Sequence, residues 1–276
     1  MKRNIFRLAA FLVMAIFAVC CLYPIIWLMI NSFKTNKELF AHFDMQTLPE
    51  TMQLDNYARA ISKGNIGSSY ISSVLITSAS VFLTVFFGAM VSYGITRLRF
   101  PGVDMVRGLF SMGMSIPAYA VIIPMFAMFN QMKLLDSFTS VIIAHVVFAF
   151  PITIYILTGF FMTIPSELEE AFIMDGCTIL KGYYKIILPI AKPSIATVSV
   201  INFITVWNDL LFPQIFLTTM SKMPLPVILT QFADLDSVDY SGMLAAVVMT
   251  VIPTIAVYIV LHDKIIEGMT AGAVKG

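Results

Sequence analysis

The apolar residues of this chain come in blocks of about 20 between short polar breaks, with no period of 2 or 3.6 running through them. Wound as a helix, a block of that length spans the hydrocarbon layer of a bilayer. Backbone N–H and C=O groups cannot stay unpaired in hydrocarbon, so each block is predicted to be helical. A transmembrane barrel would need alternating strands of about 10 residues, and these blocks do not alternate. Composition agrees, since 59% of the 276 residues are hydrophobic and 12% are charged. An ordinary soluble domain carries about 25% charged residues, so too few remain here to cover a water-facing surface. Soluble enzymes and nucleic-acid binders are therefore set aside, and a net charge of +1 offers no surface to polyanions.

Six spans follow, roughly Leu8 to Ile30, Tyr70 to Thr96, Gly108 to Asn130, Phe138 to Phe161, Ser194 to Leu217 and Ser241 to His262. Lys2, Arg3 and Arg7 precede the first, but its apolar run continues through Tyr23, Pro24 and Trp27 with no small-x-small cleavage site. It is read as a retained helix, not a signal peptide. Lys and Arg placement orients the set. With the N-terminus inside, 11 of the 17 basic residues fall on the cytoplasmic side and 6 in the outer loops, so both termini are expected in the cytoplasm. Cys20, Cys21 and Cys177 have neither disulfide-framework nor zinc-site spacing and are expected to pack. The 19 methionines are read as adaptable packing, and Pro117, Pro124, Pro151 and Pro253 as kinks within spans.

The polar segment between the fourth and fifth spans, residues 162–193, is too patterned for a slack connector. Ser166 and Glu169 form a capping-box pair after Pro165, where a helix should start. Leu168, Ala171 and Phe172 then share a helical face, and Gly176 stands where a left-handed residue would end the helix. Ile179, Tyr183 and Ile187 suggest a second short apolar face before Leu188-Pro189. Two short helices bent at a glycine would make a compact knob, suited either to a socket on another protein or to lying flat on the membrane as an amphipathic pair.

From Glu170 to Pro189 the chain reads EAFIMDGCTILKGYYKIILP. This closely resembles the cytoplasmic signature of ABC importer permeases: Glu-Ala-Ala, three residues, Gly, nine residues, Ile-x-Leu-Pro. Phe172 departs from it, placing a ring where the family usually packs closely. Further segments look like the carbohydrate-uptake branch, the smaller permease of maltose-type importers in particular. They are Ser32-Phe33-Lys34, Asn56-Tyr57, Arg97 with Phe100-Pro101-Gly102, Trp207-Asn208-Asp209 with Pro213, and the ending Thr270 to Gly276. Ser72-Ser73 stands where the branch often has Asn-Ser, and Met132-Lys133-Leu134 where a glycine is usual.

The resemblance implies an all-α membrane protein with the six-helix fold of a type I ABC importer transmembrane domain, in the bacterial cytoplasmic membrane. It divides the chain into a first helix and outer loop (1–69), a core domain (70–262) with the coupling loop 162–193, and a small, flexible cytoplasmic tail (263–276). It also implies a heterodimer with a second, homologous permease in lipid, two ATPase subunits below, and an extracytoplasmic sugar-binding protein, with no nucleic acid. The coupling contact falls on Glu170, Ala171, Phe172, Asp175 and Gly176, with Ile186, Leu188 and Pro189 closing the motif. No G-x-x-x-x-G-K-[ST] loop occurs in the chain, so ATP and Mg are expected on the partner ATPases and no cofactor or metal on this subunit.

Ser199, Asn202, Thr205 and Asp209 are spaced 3, 3 and 4 apart on one side of the fifth span. They form a candidate lining for a sugar pathway, or polar glue between helices. His145 in the fourth span is read as a hydrogen-bonded packing residue. The expected solute is a di- or oligosaccharide. The alternatives are a non-sugar solute such as glycerol phosphate, a self-sufficient secondary transporter, or a scaffold without transport.

Overall fold

The computed structural model describes residues 2–41, 47–63, 65–232 and 238–273, with side-chain surroundings for most of them. In chain order the helices are α1 (Lys2–Asn31), α2 (Asn36–Ala41), α3 (Asp55–Lys63), α4 (Ile66–Arg97), α5 (Val103–Gly113), α6 (Ala118–Gln131) and α7 (Phe138–Phe161). There follow α8 (Glu167–Met174), α9 (Ile179–Gly182), a π-helical turn (Tyr183–Ile187), α10 (Leu188–Ile190), α11 (Lys192–Trp207), α12 (Leu211–Phe216), α13 (Leu225–Ile228) and α14 (Tyr240–Ala273).

Four of these helices are long and apolar enough to cross a membrane, and up to six spans result if each bent pair counts as one. The first, second, fourth and sixth blocks are the continuous helices α1, α4, α7 and α14. The third block is not one helix: α5 and α6 meet at 101°. Pro117 stands at the start of α6 in extended backbone, having no N–H to continue α5. Pro24, Pro124, Pro151 and Pro253 do lie inside helices. The fifth block breaks between α11 and α12, and α11 itself follows α10 at 75°. Residues 263–273, expected as a flexible tail, instead continue α14.

The chain forms two units. One comprises Met1–Gly67 and Ile228–Ile252. Within it, two segments far apart in sequence lock together: the Asn56 amide donates to the Ser32 and Lys34 carbonyls at 2.7 and 2.9 Å. The Tyr57 hydroxyl lies 2.7 Å from Ser32 Oγ, and the Tyr57 ring packs on Phe33 at 5.3 Å. Arg59 extends the lock to Asp239 at 3.1 Å, and Asp239 accepts the Gly242 N–H at the head of α14. Asn56 and Ser32 are both buried, so these bonds satisfy groups that would otherwise be stranded from water. Along α1, none of residues 6–30 is buried by the chain itself, and Cys20 and Cys21, expected to pack, are exposed there.

The other unit comprises Ser68–Val227 and Pro253–Gly276, with α7 packed against α5, α11 and α12. Two cores lie along α7. Around its start, Val141 and Ala144 meet Ile76, Phe129, Val206, Phe212, Phe216 and Leu217. Around its end, Leu157 and Phe161 meet Ala89, Tyr93, Phe172, Tyr183, Ile187, Ala191 and Val198. Close to the first core, Asp136 pins the segment after α12. Its carboxylate accepts the Thr218 and Thr219 N–H groups, the Thr219 hydroxyl and Lys222 Nζ, at 2.6–3.0 Å. Ser73 accepts the Leu225 N–H at 2.9 Å and Ser72 donates to the Ser221 carbonyl at 3.3 Å, so the Ser-Ser pair fastens the same segment to α4. Lys133 has a φ of +56°, a left-handed turn in the stretch where the resemblance leads one to expect glycine.

Candidate functional site

The signature segment folds into a helix–glycine–helix knob. α8 begins where Pro165-Ser166 predicted, but the capping box does not form: Ser166 makes no side-chain cap, and its carbonyl accepts the Glu169 and Glu170 N–H groups. Glu169 is drawn elsewhere, into an ion pair with Arg97 Nε at 3.0 Å in which both side chains are largely buried. Arg97, at the last turn of α4, also donates to the carbonyl of Phe161, the last residue of α7, and to that of Ile164 just after it. One guanidinium thus joins α8 to the ends of two long helices.

The end of α8 follows from Gly176, whose φ is +77°. The Cys177 N–H bonds the Phe172 carbonyl and the Gly176 N–H bonds the Ile173 carbonyl, both at 2.9 Å. That pair of bonds is a Schellman motif, and it needs a left-handed residue at position 176. After the bend, Thr178 Oγ1 accepts the Lys181 N–H and starts α9. The chain then widens to π geometry over Tyr183–Ile187 immediately before Pro189, where a proline ring crowds the carbonyl four residues back.

Only Phe172 of the expected α8 face is buried; Leu168 and Ala171 are exposed. On the second face Tyr183 and Ile187 are buried and Ile179 is not. The Phe172 ring, bulky for this motif, is accommodated by Gly182: a Cβ there would lie 2.3–2.6 Å from three ring atoms. Tyr183 packs on Tyr93 with ring centroids 4.8 Å apart and the planes tilted by 39°. Ile186 and Leu188 pack half-buried against the same core, as does Cys177, while Pro189 is exposed. Glu170, Ala171, Asp175 and Gly176 point outward with Ile173 and Met174, forming an exposed surface on a firmly anchored base.

The four polar residues of the fifth span separate. Ser199 donates to the Ile195 carbonyl at 2.7 Å and lines an apolar cavity with Phe82, Phe86 and Tyr184. Asn202 is buried and donates to Thr153 Oγ1 of α7 at 2.9 Å, the glue reading in physical form. Thr205 is exposed and donates to the Ile201 carbonyl. Asp209 accepts the Leu211 and Phe212 N–H groups at 3.3 and 3.1 Å, capping α12. Asn202, Thr205 and Asp209 line one cavity of about 250 Å³, and His145 joins them there. His145 is buried edge-on to Phe212 at 5.3 Å, yet its Nε2 makes no hydrogen bond. Among the described residues no group of three or more His, Cys, Asp or Glu is placed to hold a metal. The sequence did not reveal the Arg97–Glu169 pair or the Asn56 lock as contacts: Arg97 and Asn56-Tyr57 stood out only as isolated points of resemblance, and Glu169 only as a capping-box partner.

Comparison with known proteins places this architecture. Residues 84–270 match the family described as binding-protein-dependent transport system inner membrane component. The trehalose transport system permease protein SugB of Mycobacterium tuberculosis is 33% identical over 92% of this chain and 93% of its own length. The diacetylchitobiose uptake system permease protein NgcG of Streptomyces coelicolor is 29% identical over 94% of this chain and 86% of its own. Among solved structures, a chain of a bacterial ABC transporter involved in the import of the acidic polysaccharide alginate superposes with a TM-score of 0.82. It is 25% identical, over 95% of this chain and 97% of that one. Permeases of this kind are multi-pass proteins of the bacterial cytoplasmic membrane and leave ATP hydrolysis to separate subunits. A match over more than half the chain, with relatives spanning nearly all of it, makes this protein a member of the inner membrane components of binding-protein-dependent ABC transport systems.

Proposed function

We propose that the chain is one of two permeases of a bacterial importer for a di- or oligosaccharide, crossing the membrane six times with both termini in the cytoplasm. It pairs with a second, homologous permease, rests on two ATPases that bind ATP and Mg, and receives sugar from an extracytoplasmic binding protein. The observation that carries this reading is the signature knob, which presents exposed residues on a base fixed to α4 and α7 through Arg97. A rigid-body device of that form can pass ATPase closure to the spans, an alternating-access movement. The sugar class is supported by the printed roles of relatives, which include uptake of diacetylchitobiose, trehalose and arabinooligosaccharides.

In this reading Glu170, Ala171, Asp175 and Gly176 meet the ATPase, Phe172 sets the knob on its core, and Ile186, Leu188 and Pro189 hold its far end. Asn202, Thr205 and Asp209 are the candidate pathway lining of the fifth span, with Ser199 on a second cavity of the same helix. The test is Gly176→Pro and Glu170→Arg in the assembled transporter. Both variants should insert and assemble while ATP hydrolysis continues without uptake. Normal uptake by both would remove the knob from the coupling path.

A further inference from the structure

The cavity of about 250 Å³ is bounded by α6, α7, α11 and α12, and its lining is two-sided. Tyr119, Phe148 and Phe212 supply aromatic surface, with Phe148 and Phe212 at 5.4 Å. His145, Asn202, Thr205 and Asp209 supply polar groups. The imidazole is 4% exposed, and its Nε2 has no hydrogen-bond partner. The nearest acidic oxygen, Asp209 Oδ2, is 3.6 Å away, too far for a bond. A buried polar nitrogen left without a hydrogen bond in a membrane segment is costly unless something with a hydroxyl or carbonyl meets it in function. Thr205 donates to its own helix, which leaves its oxygen free to accept.

We propose that this cavity is a subsite for one ring of an uncharged sugar. A pyranose matches the lining: its C–H face suits Phe148, Phe212 and Tyr119, and its hydroxyls suit His145, Thr205 and Asp209. The volume, below the roughly 300–1,000 Å³ of pockets for drug-sized ligands, fits a single ring and not a whole oligosaccharide. The charge class follows from the lining, which holds one carboxyl group and neither Lys nor Arg. An anionic sugar or a sugar phosphate would be buried there without a cation. An acyl chain would leave the polar side unsatisfied.

This subsite rests on the sugar-importer reading, so the experiment keeps the two apart. The complete transporter is assembled in nanodiscs with its second permease, ATPases and binding protein. ATPase stimulation is measured with trehalose, N,N′-diacetylchitobiose, maltotriose, an alginate disaccharide and sn-glycerol 3-phosphate. In parallel, Ile201→Cys, on the cavity wall, is placed in a background with Cys20, Cys21 and Cys177 replaced by serine, and its modification by a small maleimide is timed with each solute. The expected result is slowed modification by the neutral sugar that stimulates ATPase, and none by the two anions. His145→Leu keeps the packing on Phe212 but removes Nε2; it should raise the sugar concentration for half-protection about five- to ten-fold. His145→Gln should recover part of that loss, which a purely packing role would not predict. Stimulation by a neutral sugar with no protection of Ile201→Cys, or with His145→Leu unchanged, overturns the subsite and leaves the importer reading standing. Stimulation only by glycerol phosphate or the alginate disaccharide overturns the uncharged-sugar subsite, and glycerol phosphate alone overturns the sugar reading as well.

Discussion

At the scale of single residues, the knob depends on two glycines for different physical reasons. Gly176 has open space around it, and its requirement is conformational, with φ at +77°. Gly176→Ala should therefore cost about 1–2 kcal/mol, readable as a lower denaturation midpoint in detergent with no change in packing. Gly182 has ordinary helical backbone, and its requirement is space for the Phe172 ring. Gly182→Ala should cost about 1–3 kcal/mol by overpacking. The cost of Phe172→Ala should then fall in that background, because the added methyl fills part of the vacated volume. A double-mutant cycle with additive costs would contradict this pairing. Asp136 gives a pH expectation outside the membrane. The Thr219 hydroxyl and N–H, then Lys222 and the Thr218 N–H, hold its carboxyl well below the usual carboxylate range. A value lowered on folding contributes stability that is complete above the unfolded value of about 3.9 and is lost as pH falls toward the folded one. Hydrogen exchange at the Thr218 and Thr219 amides should thus show constant protection, after correction for intrinsic rates, from about pH 5 to 8. Protection should fall only below about pH 4. Loss near neutrality would exclude this clamp.

At the scale of elements, Arg97 decides how the knob is attached. It pairs with Glu169 and binds carbonyls at and just after the end of α7, so α4, α7 and α8 share one largely buried cation. Arg97→Ala should destabilise by about 2–3 kcal/mol, with Glu169 left buried and unpaired. It should also let ATP hydrolysis run without proportionate uptake. Arg97→Lys, a point charge without the fork, should restore the ion pair but not the carbonyl bonds, giving intermediate coupling. Uptake per ATP equal to the parent in both variants would show that the attachment lies elsewhere. The element scale also shows what sequence could and could not tell. The spans of α1, α4, α7 and α14 were legible because lipid demands continuous apolar helix. The break between α5 and α6 was not, since Pro117 reads the same whether it kinks a helix or starts a new one. The Gly176 bend was legible because few residues tolerate a left-handed end. The failure of the Ser166–Glu169 capping box was not, because its rival partner Arg97 lies 72 positions away in sequence. Likewise the polar stripe on α11 was visible by spacing, but its division between a cavity, a helix cap and the Thr153 bond needed the packing of α7.

At the scale of the whole molecule, the chain carries features that only an assembly explains. None of residues 6–30 of α1 is fully buried by the chain itself, and Ile173 and Met174 stand exposed at the knob. Apolar helix surface is satisfied by lipid, but an exposed apolar tip on a polar segment between spans calls for a protein partner. Family membership points the same way, since permeases of this kind leave ATP hydrolysis to separate subunits. The most direct measurement is to co-express this chain with a neighbouring permease gene, an ATPase gene and a binding-protein gene, and to purify through a tag on this chain. A stoichiometric complex should be recovered whose ATPase activity rises with the binding protein together with one sugar, and which goes on hydrolysing ATP without uptake when Gly176 is replaced by proline. Recovery of this chain alone, stable and able to move a solute across vesicles without the other subunits, would contradict it.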